Sequence, residues 1–202
     1  MAESYQRLGV LDHLHLDARA VDDPGDAGVV LCERRFVGKL NLRGEPTKKF
    51  RDAVKRALGF EPPTKPNTST GTEGRTAFWL CPNEWLIVTP PDGEAETVEA
   101  LRAALDGQHI AVTDVSEGRT VIGLAGSHAR DVLMKGCPLD LHPRVFETGD
   151  CAQSHLAKAL VILHQTDAAP AYDIYVERSV ADYLWTWLED AAGEYGLAIV
   201  RG

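Results

Sequence analysis

Three groups of residues in this chain have types and spacings able to do chemistry. Cys137, Asp140 and His142 lie close together in CPLDLHPR, and a thiol beside an imidazole is a nucleophile pair. That chemistry needs a hydrogen bond between the two, which the spacing across Pro138 and Pro143 does not ensure. The loop is therefore read as structural or as a subunit contact. His13 and His15 stand two apart, so on a strand they would share a face and could ligate a metal. No third ligand is fixed near them, and a surface or interface pair is expected. Asp114, Ser116 and Arg119 could bind a carboxylate, but the serine sits in DVSEG rather than G-x-S-x-G. No nucleophile elbow is indicated, and a turn or salt bridge is expected.

The usual devices for holding FAD, NAD or ATP are missing, since neither G-x-G-x-x-G nor G-x-x-x-x-G-K-[ST] occurs. Cys32, Cys81, Cys137 and Cys151 form no C-x-x-C pair and no zinc spacing, so they read as small buried side chains or ordinary thiols. No catalytic, cofactor-binding or metal-ligating residue is assigned. The 202 residues carry a net charge of -9. Such a chain repels phosphate backbones, and nucleic acid is not an expected partner. No apolar run approaches the ~18 residues that span a membrane. Asp12, His13, His15 and Asp17 interrupt any signal-peptide core, and the expected location is the cytoplasm.

The elements that must position these residues follow from periodicity. Residues 1–28 read as an N-terminal arm closed by VDDPGDAG. Val29 to Leu42 is extended. Thr47 can cap a helix in which Phe50, Ala53, Val54, Ala57 and Leu58 form one apolar face, ended by Gly59. EPPTKPNTSTGTEG reads as an irregular loop, mobile or ordered by a partner. Ala77–Leu80 and Trp85–Val88 flank CPNE as a hairpin, and a helix through Val98, Leu101 and Leu105 leads to a strand at residues 110–115.

The second half repeats that order: a strand at 119–125, a helix at 128–135 capped by Ser127 and ended by Gly136, and strands at 156–163 and 172–176. A long helix capped by Ser179 and a strand at 197–200 complete it. Its apolar stripe is Val180, Tyr183, Leu184, Trp187, Leu188 and Ala191, with Trp185 outside it, widening the stripe or meeting a partner. Both halves read β-α-β-β-α-β. The expected fold is α+β, with tandem ferredoxin-like units of antiparallel sheet at 29–115 and 116–202.

Several phrases carry a resemblance: GKLNLRG at 38–44, PNT at 66–68, NEWLIV at 83–88, DVSEGRT at 114–120, ARDVLMKGCPLDLHPRVF at 129–146, CAQSHLAKALVIL at 151–163 and ERSVADYLWTWLEDAAGEYG at 177–196. In these the chain resembles the gamma subunit of heterotetrameric sarcosine oxidase. It is also similar to the wider folate-binding aminomethyltransferase group, through Asp114, Val115, Ser116, Gly126 and Leu133. The resemblance implies the aminomethyltransferase folate-binding fold and partnership with alpha, beta and delta subunits. The implied reaction turns sarcosine into glycine, with hydrogen peroxide and methylenetetrahydrofolate as products. FAD, FMN, NAD, zinc and tetrahydrofolate then belong to the complex, and this chain supports it without catalysing. A free-standing folate-binding or aminomethyltransferase-like protein is the alternative. Folate-binding relatives carry a Gly-Glu pair before the strand that here begins AYDIYV, and this chain has Ala169 and Pro170 instead. Cys81 and Asn83 stand in a turn where Gly and Asp are expected.

Docking is assigned to the arm (Leu11, Leu14, Leu16), the Pro-rich loop (Pro62, Pro66, Asn67) and the loop bearing Cys137, Leu141 and His142.

Overall fold

The computed structural model describes residues 7–72 and 74–202. Along the chain run α1 (Leu16–Arg19), β1 (Val29–Arg34), β2 (Gly38–Gly44), α2 (Lys48–Leu58), β3 (Ser69–Thr72), β4 (Arg75–Cys81), β5 (Glu84–Thr89), α3 (Glu94–Ala104) and β6 (Ile110–Asp114). There follow β7 (Arg119–Ala125), α4 (Ala129–Met134), β8 (Cys151–Leu156), β9 (Ala159–Asp167), β10 (Ala171–Glu177), α5 (Ala181–Ala192) and β11 (Leu197–Ile199). Among the described residues, no helix is long and apolar enough to cross a membrane.

Two sheets form, ordered β3-β4-β5-β2-β6 and β11-β1-β7-β10-β9-β8. All neighbours are antiparallel except β1 and β11. The first sheet with α2 and α3 is a ferredoxin-like unit. In the second, the place beside β7 is filled by β1, which runs antiparallel to it from Val30 opposite Ala125 to Arg34 opposite Val121. The strand at 29–34, expected in the unit 29–115, therefore belongs to the other sheet, and the two units interlock. Alternation identifies a strand but not its neighbour, because pairing depends on residues far along the chain.

Side-chain alternation builds four layers, helix on sheet on sheet on helix. In β7, Ile122 and Leu124 face a core with Leu184, Trp185 and Leu188 of α5, while Val121 faces the other way. In β5, Trp85 and Ile87 pack with Phe50 and Val54 of α2, while Leu86 joins Val121 between the sheets. Phe78, Ile162 and Tyr175 complete that middle layer. Both sheets are covered on two faces, which explains their near-continuous apolar strands.

Local chemistry agrees with the sequence in some places and departs in others. Thr47 Oγ1 accepts the Phe50 N–H at 3.2 Å, and Gly59 ends α2 at φ +89. Neither Ser127 nor Ser179 caps its helix: α4 starts after His128 and α5 after a short 3-10 turn, both without a side-chain cap. Gly136 follows α4 because of size. A Cβ there would come within 2.7 Å of the Trp187 ring. The strand expected at 156–163 straddles the turn of a hairpin: β8 ends at Leu156, Ala157 turns at φ +53, and β9 starts at Ala159. Trp185, placed outside the apolar stripe, is fully buried, whereas Tyr183 is 41% exposed. The helix face is thus rotated toward Ala181, Trp185 and Ala192.

The stretch read as irregular is ordered by this chain itself. Trp85 Nε1 donates to the Pro63 carbonyl at 2.7 Å and Thr70 Oγ1 donates to the Glu61 carbonyl at 2.7 Å. Residues 69–72 form β3. Residues 1–6 of the arm lie outside the described residues. From Arg7 on, the arm packs against the second sheet: Leu11 and Leu16 enter its core, and the Val21 N–H reaches the Ile199 carbonyl at 2.9 Å.

Candidate docking surface

Two loops from opposite halves meet at one edge of the molecule. The backbone at Asn67 turns at φ +60, a conformation asparagine tolerates better than most residues. Its carbonyl accepts the Cys151 N–H at 3.1 Å, Thr68 bridges Asp150, and the Ser69 N–H reaches the Gly149 carbonyl at 3.0 Å. These bonds tie the edge of the first sheet to β8 of the second.

The loop after α4 is pinned from within. Cys137 N–H closes onto the Leu133 carbonyl at 2.8 Å, and the Val145 and Phe146 N–H groups share the His142 carbonyl at 2.8 and 3.0 Å. Asp140 Oδ1 accepts the His142 N–H at 3.0 Å, and Asp150 Oδ2 accepts the Glu147 N–H at 2.9 Å. Leu141 and Phe146 are buried beneath, and Val145 is left 60% exposed. A cleft of about 310 Å³ runs between Pro66 on one side and Leu139, Val145 and Ala152 on the other.

The structure divides the residues assigned to docking. Leu11, Leu16 and Leu141 lie in this chain's own core, at 0%, 4% and 1% exposure. Pro62 is buried, and Leu14 and Cys137 are half-buried against the same core. Those three leucines are corrected from docking residues to core residues, because their apolar side chains are buried in the core of the second sheet. Pro66, Asn67 and His142 are exposed, and Pro66 and Asn67 line the cleft. Val145 and Leu139 escaped sequence reading. The only signal was the pair VF at 145–146 after Pro143, where one side chain goes inward and its neighbour cannot.

The residues with chemical types are held apart or consumed. Cys137 Sγ lies 3.9 Å from Ser154 Oγ, while His142 Nδ1 accepts the Arg144 N–H at 3.2 Å. The thiol and the imidazole therefore use different partners. His13 sits in a 3-10 turn rather than a strand, with Nε2 3.0 Å from Asp182 Oδ1, and His15 turns at φ +50. No group of three His, Cys, Asp or Glu side chains converges on a metal position among the described residues. Asp114 Oδ1 accepts both the N–H and the hydroxyl of Ser116, at 2.9 and 2.6 Å. Ser116 Oγ in turn accepts the Lys39 N–H at 2.9 Å. The DVSEG segment is the tightly bonded connection between the two sheets.

Sequence reading missed one pair, Cys151 and His164, which are cross-strand partners in the middle layer. Burial pushes the Cys151 thiol up to about 12 and the His164 ring down to about 4. The thiol donates to the Thr68 carbonyl at 3.3 Å, and the ring packs on Phe78 with centroids 4.7 Å apart. Both groups are neutral at pH 7, so no thiolate nucleophile arises. A second groove, of about 460 Å³, opens between the sheets. Its charged residues pair with one another: Arg43 with Glu84 at 2.9 Å and Arg119 with Glu177 at 4.0 Å.

Comparison with known proteins places this chain in a family. The profile described as "Sarcosine oxidase, gamma subunit family" matches residues 43–194. The sarcosine oxidase subunit gamma of Corynebacterium sp. (strain U-96) is 31% identical over 189 residues, covering 93% of this chain and 91% of the relative. That of Arthrobacter sp is 34% identical over 191 residues, covering 94% and 91%. Among solved structures, a chain of the heterotetrameric sarcosine oxidase from Corynebacterium sp. U-96 in complex with pyrrole 2-carboxylate aligns with a TM-score of 0.84 at 31% identity. The alignment covers 94% of this chain and 96% of that chain. The glycine cleavage system aminomethyltransferase T from Bartonella henselae aligns with a TM-score of 0.72 at 14% identity, covering 97% of this chain and 60% of that chain. This second likeness concerns the fold alone.

Proposed function

Because the chain belongs to the sarcosine oxidase gamma subunit family, we propose that it serves as the gamma chain of a cytoplasmic heterotetrameric sarcosine oxidase. In this reading it docks on alpha, beta and delta chains and supports their active sites without contributing a reacting group. The assembly oxidises sarcosine to glycine, reduces oxygen to hydrogen peroxide and passes the one-carbon unit to tetrahydrofolate. FAD, FMN and NAD belong to the large chains and zinc to the delta chain.

The observation that carries this reading is the evenness of the match. It runs over more than nine-tenths of this chain and of its relatives. The side chains able to do chemistry are consumed in turns, caps and cores, which suits a supporting chain. Asn67 and His142, fixed by backbone hydrogen bonds, and Pro66 beside Asn67 present a surface that loses little freedom on docking.

Gentle purification through a tag on this chain, from its own host, tests the reading. A large flavin-coloured complex producing peroxide only with sarcosine is the expected result. A colourless protein of this chain's own mass, under conditions that keep the complex together, would overturn it. The aminomethyltransferase fold raises a second reading, a free-standing folate binder. Calorimetry of the isolated chain with tetrahydrofolate decides that one, and the expected outcome is no heat of binding.

A further inference from the structure

We infer that the cleft between Pro66 and Val145 receives an apolar side chain flanked by a basic residue from a neighbouring chain of the assembly. The inference rests on the docking reading above and adds the chemistry of the occupant. Pro66, Leu139, Val145, Phe146 and Ala152 supply the apolar part of the cleft lining. Val145 is among the most exposed large apolar side chains of the described residues, and it shares the cleft with Leu139 and Ala152 rather than standing alone on the surface.

The charge on the rim is uneven. Asp140 and Asp150 line the same cleft as Lys65, and Glu147 and the exposed Arg144 follow in the same loop and offset one another. Asp140 and Asp150 each give one oxygen to a backbone N–H of their own loop. No lysine, arginine or histidine pairs with any of the three acids among the described residues. A carboxylate held in place by its loop and lacking a cation is complementary to a basic side chain. The net charge of -9 steers such a partner toward the chain. Lys65 lines the cleft as well and repels a second basic group beside it, so the basic residue of the occupant lies toward Asp140, on the opposite loop. The cleft walls are already hydrogen-bonded in place, and little ordering opposes docking.

The test uses the intact complex, with a tag on another subunit and variants of this chain co-expressed. Retention of the chain is measured across a salt series. Val145→Glu puts a charge on the apolar wall and is expected to lower retention at least tenfold; circular dichroism of the isolated variant checks its fold. Asp140→Asn keeps the acceptor for the His142 N–H and removes only the charge. It is expected to weaken binding about fivefold at low salt and to flatten the salt dependence. If Val145→Glu weakens retention while Asp140→Asn leaves both affinity and salt dependence unchanged, the basic occupant is overturned and docking at the cleft stands. If both variants are retained like the native chain, the cleft is not a docking site and the inference falls. If the native chain itself fails to co-purify, the proposed function falls with it.

Discussion

The guanidinium of Arg34 donates from Nε to Asp173 Oδ1 at 2.6 Å by crossing the intervening strand over Gly123. β1 and β10 are thereby joined across β7, and the crossing works because position 123 has no side chain. A Cβ there would stand 2.6 Å from Cys32 Sγ and 3.3 Å from Arg34 Nε. The charge of Arg34 also opposes the upward push that burial gives to the Asp173 carboxyl. Gly123→Ala is expected to destabilise the chain by about 1–3 kcal/mol through overpacking. Urea denaturation followed by tryptophan fluorescence measures this, and an unchanged midpoint would sink the crossing as a structural requirement.

Glu33 holds the arm in place. It is 4% exposed on β1, and Oε1 accepts the Leu11 N–H at 3.1 Å and the Thr120 hydroxyl at 3.2 Å. Its other oxygen faces Arg35 Nε at 3.2 Å. Glu33→Leu strands the Leu11 N–H, a loss of about 1–3 kcal/mol for an unpaired buried donor. Arg35 keeps Asp17 at 2.7 Å, which moderates the remaining cost. The arm is expected to detach and the backbone of α1 to open at Arg19, whose side chain is already exposed, admitting trypsin, while Glu33→Gln keeps an acceptor and stays resistant. Equal cleavage of both variants and the native chain would remove Glu33 from this role.

Much of the fold was legible because its signals are local. Thr47 and Gly59 bracket α2, and Pro82 with Asn83 turns β4 into β5. What escaped depends on distant residues. The alternation in VVLCER shows a strand, but its partners β7 and β11 begin at Arg119 and Leu197. β8 escaped, and its last residue Leu156 was joined to β9, because no Gly, Asn or Pro marks the turn at Ala157. At the cleft, the exposure of Pro66 and Asn67 was legible from the Pro-rich loop that carries them. The burial of Leu141 beside the exposure of Val145 was not, since both lie in one apolar-rich loop and only the packed core separates them.

Lys39 gives a pH signature on the alkaline side. It is 3% exposed on β2, its Nζ donates to the Val37 carbonyl, and burial lowers it to about 8 from 10.5. Between those values the unfolded chain holds a proton that the folded chain has released, so stability rises with pH through that window. Lys39→Met is expected to flatten the rise. At pH 7 it is expected to raise stability by up to about 3 kcal/mol, less the lost bond to Val37. Urea midpoints at pH 7, 8, 9 and 10 measure both effects. A native chain whose stability falls between pH 8 and 10, by an amount the variant shares, would contradict the assignment.

His164 gives the opposite limb. Its ring lies between the sheets against Phe78, Nε2 is 3.4 Å from Ser69 Oγ, and burial lowers it from 6.5 to about 4. Above pH 6.5 the ring is neutral in both states and contributes no pH dependence. As pH falls from 6.5 toward 4, the unfolded chain takes up a proton that the folded ring refuses, and stability is lost progressively. The full loss approaches about 3 kcal/mol, from a shift of roughly 2.5 units at 1.36 kcal/mol each. His164→Leu replaces the ring with an apolar side chain that cannot titrate, so its stability is expected to fall less steeply over the same range. Denaturation at pH 7, 6, 5 and 4 isolates this group as the difference between the two curves, since the other carboxylates and histidines titrate in both proteins. Parallel curves would mean that the ring is reached by water and that the two sheets separate at this edge. In that case the bonds between Asn67, Ser69 and the second sheet would not hold the cleft closed as described.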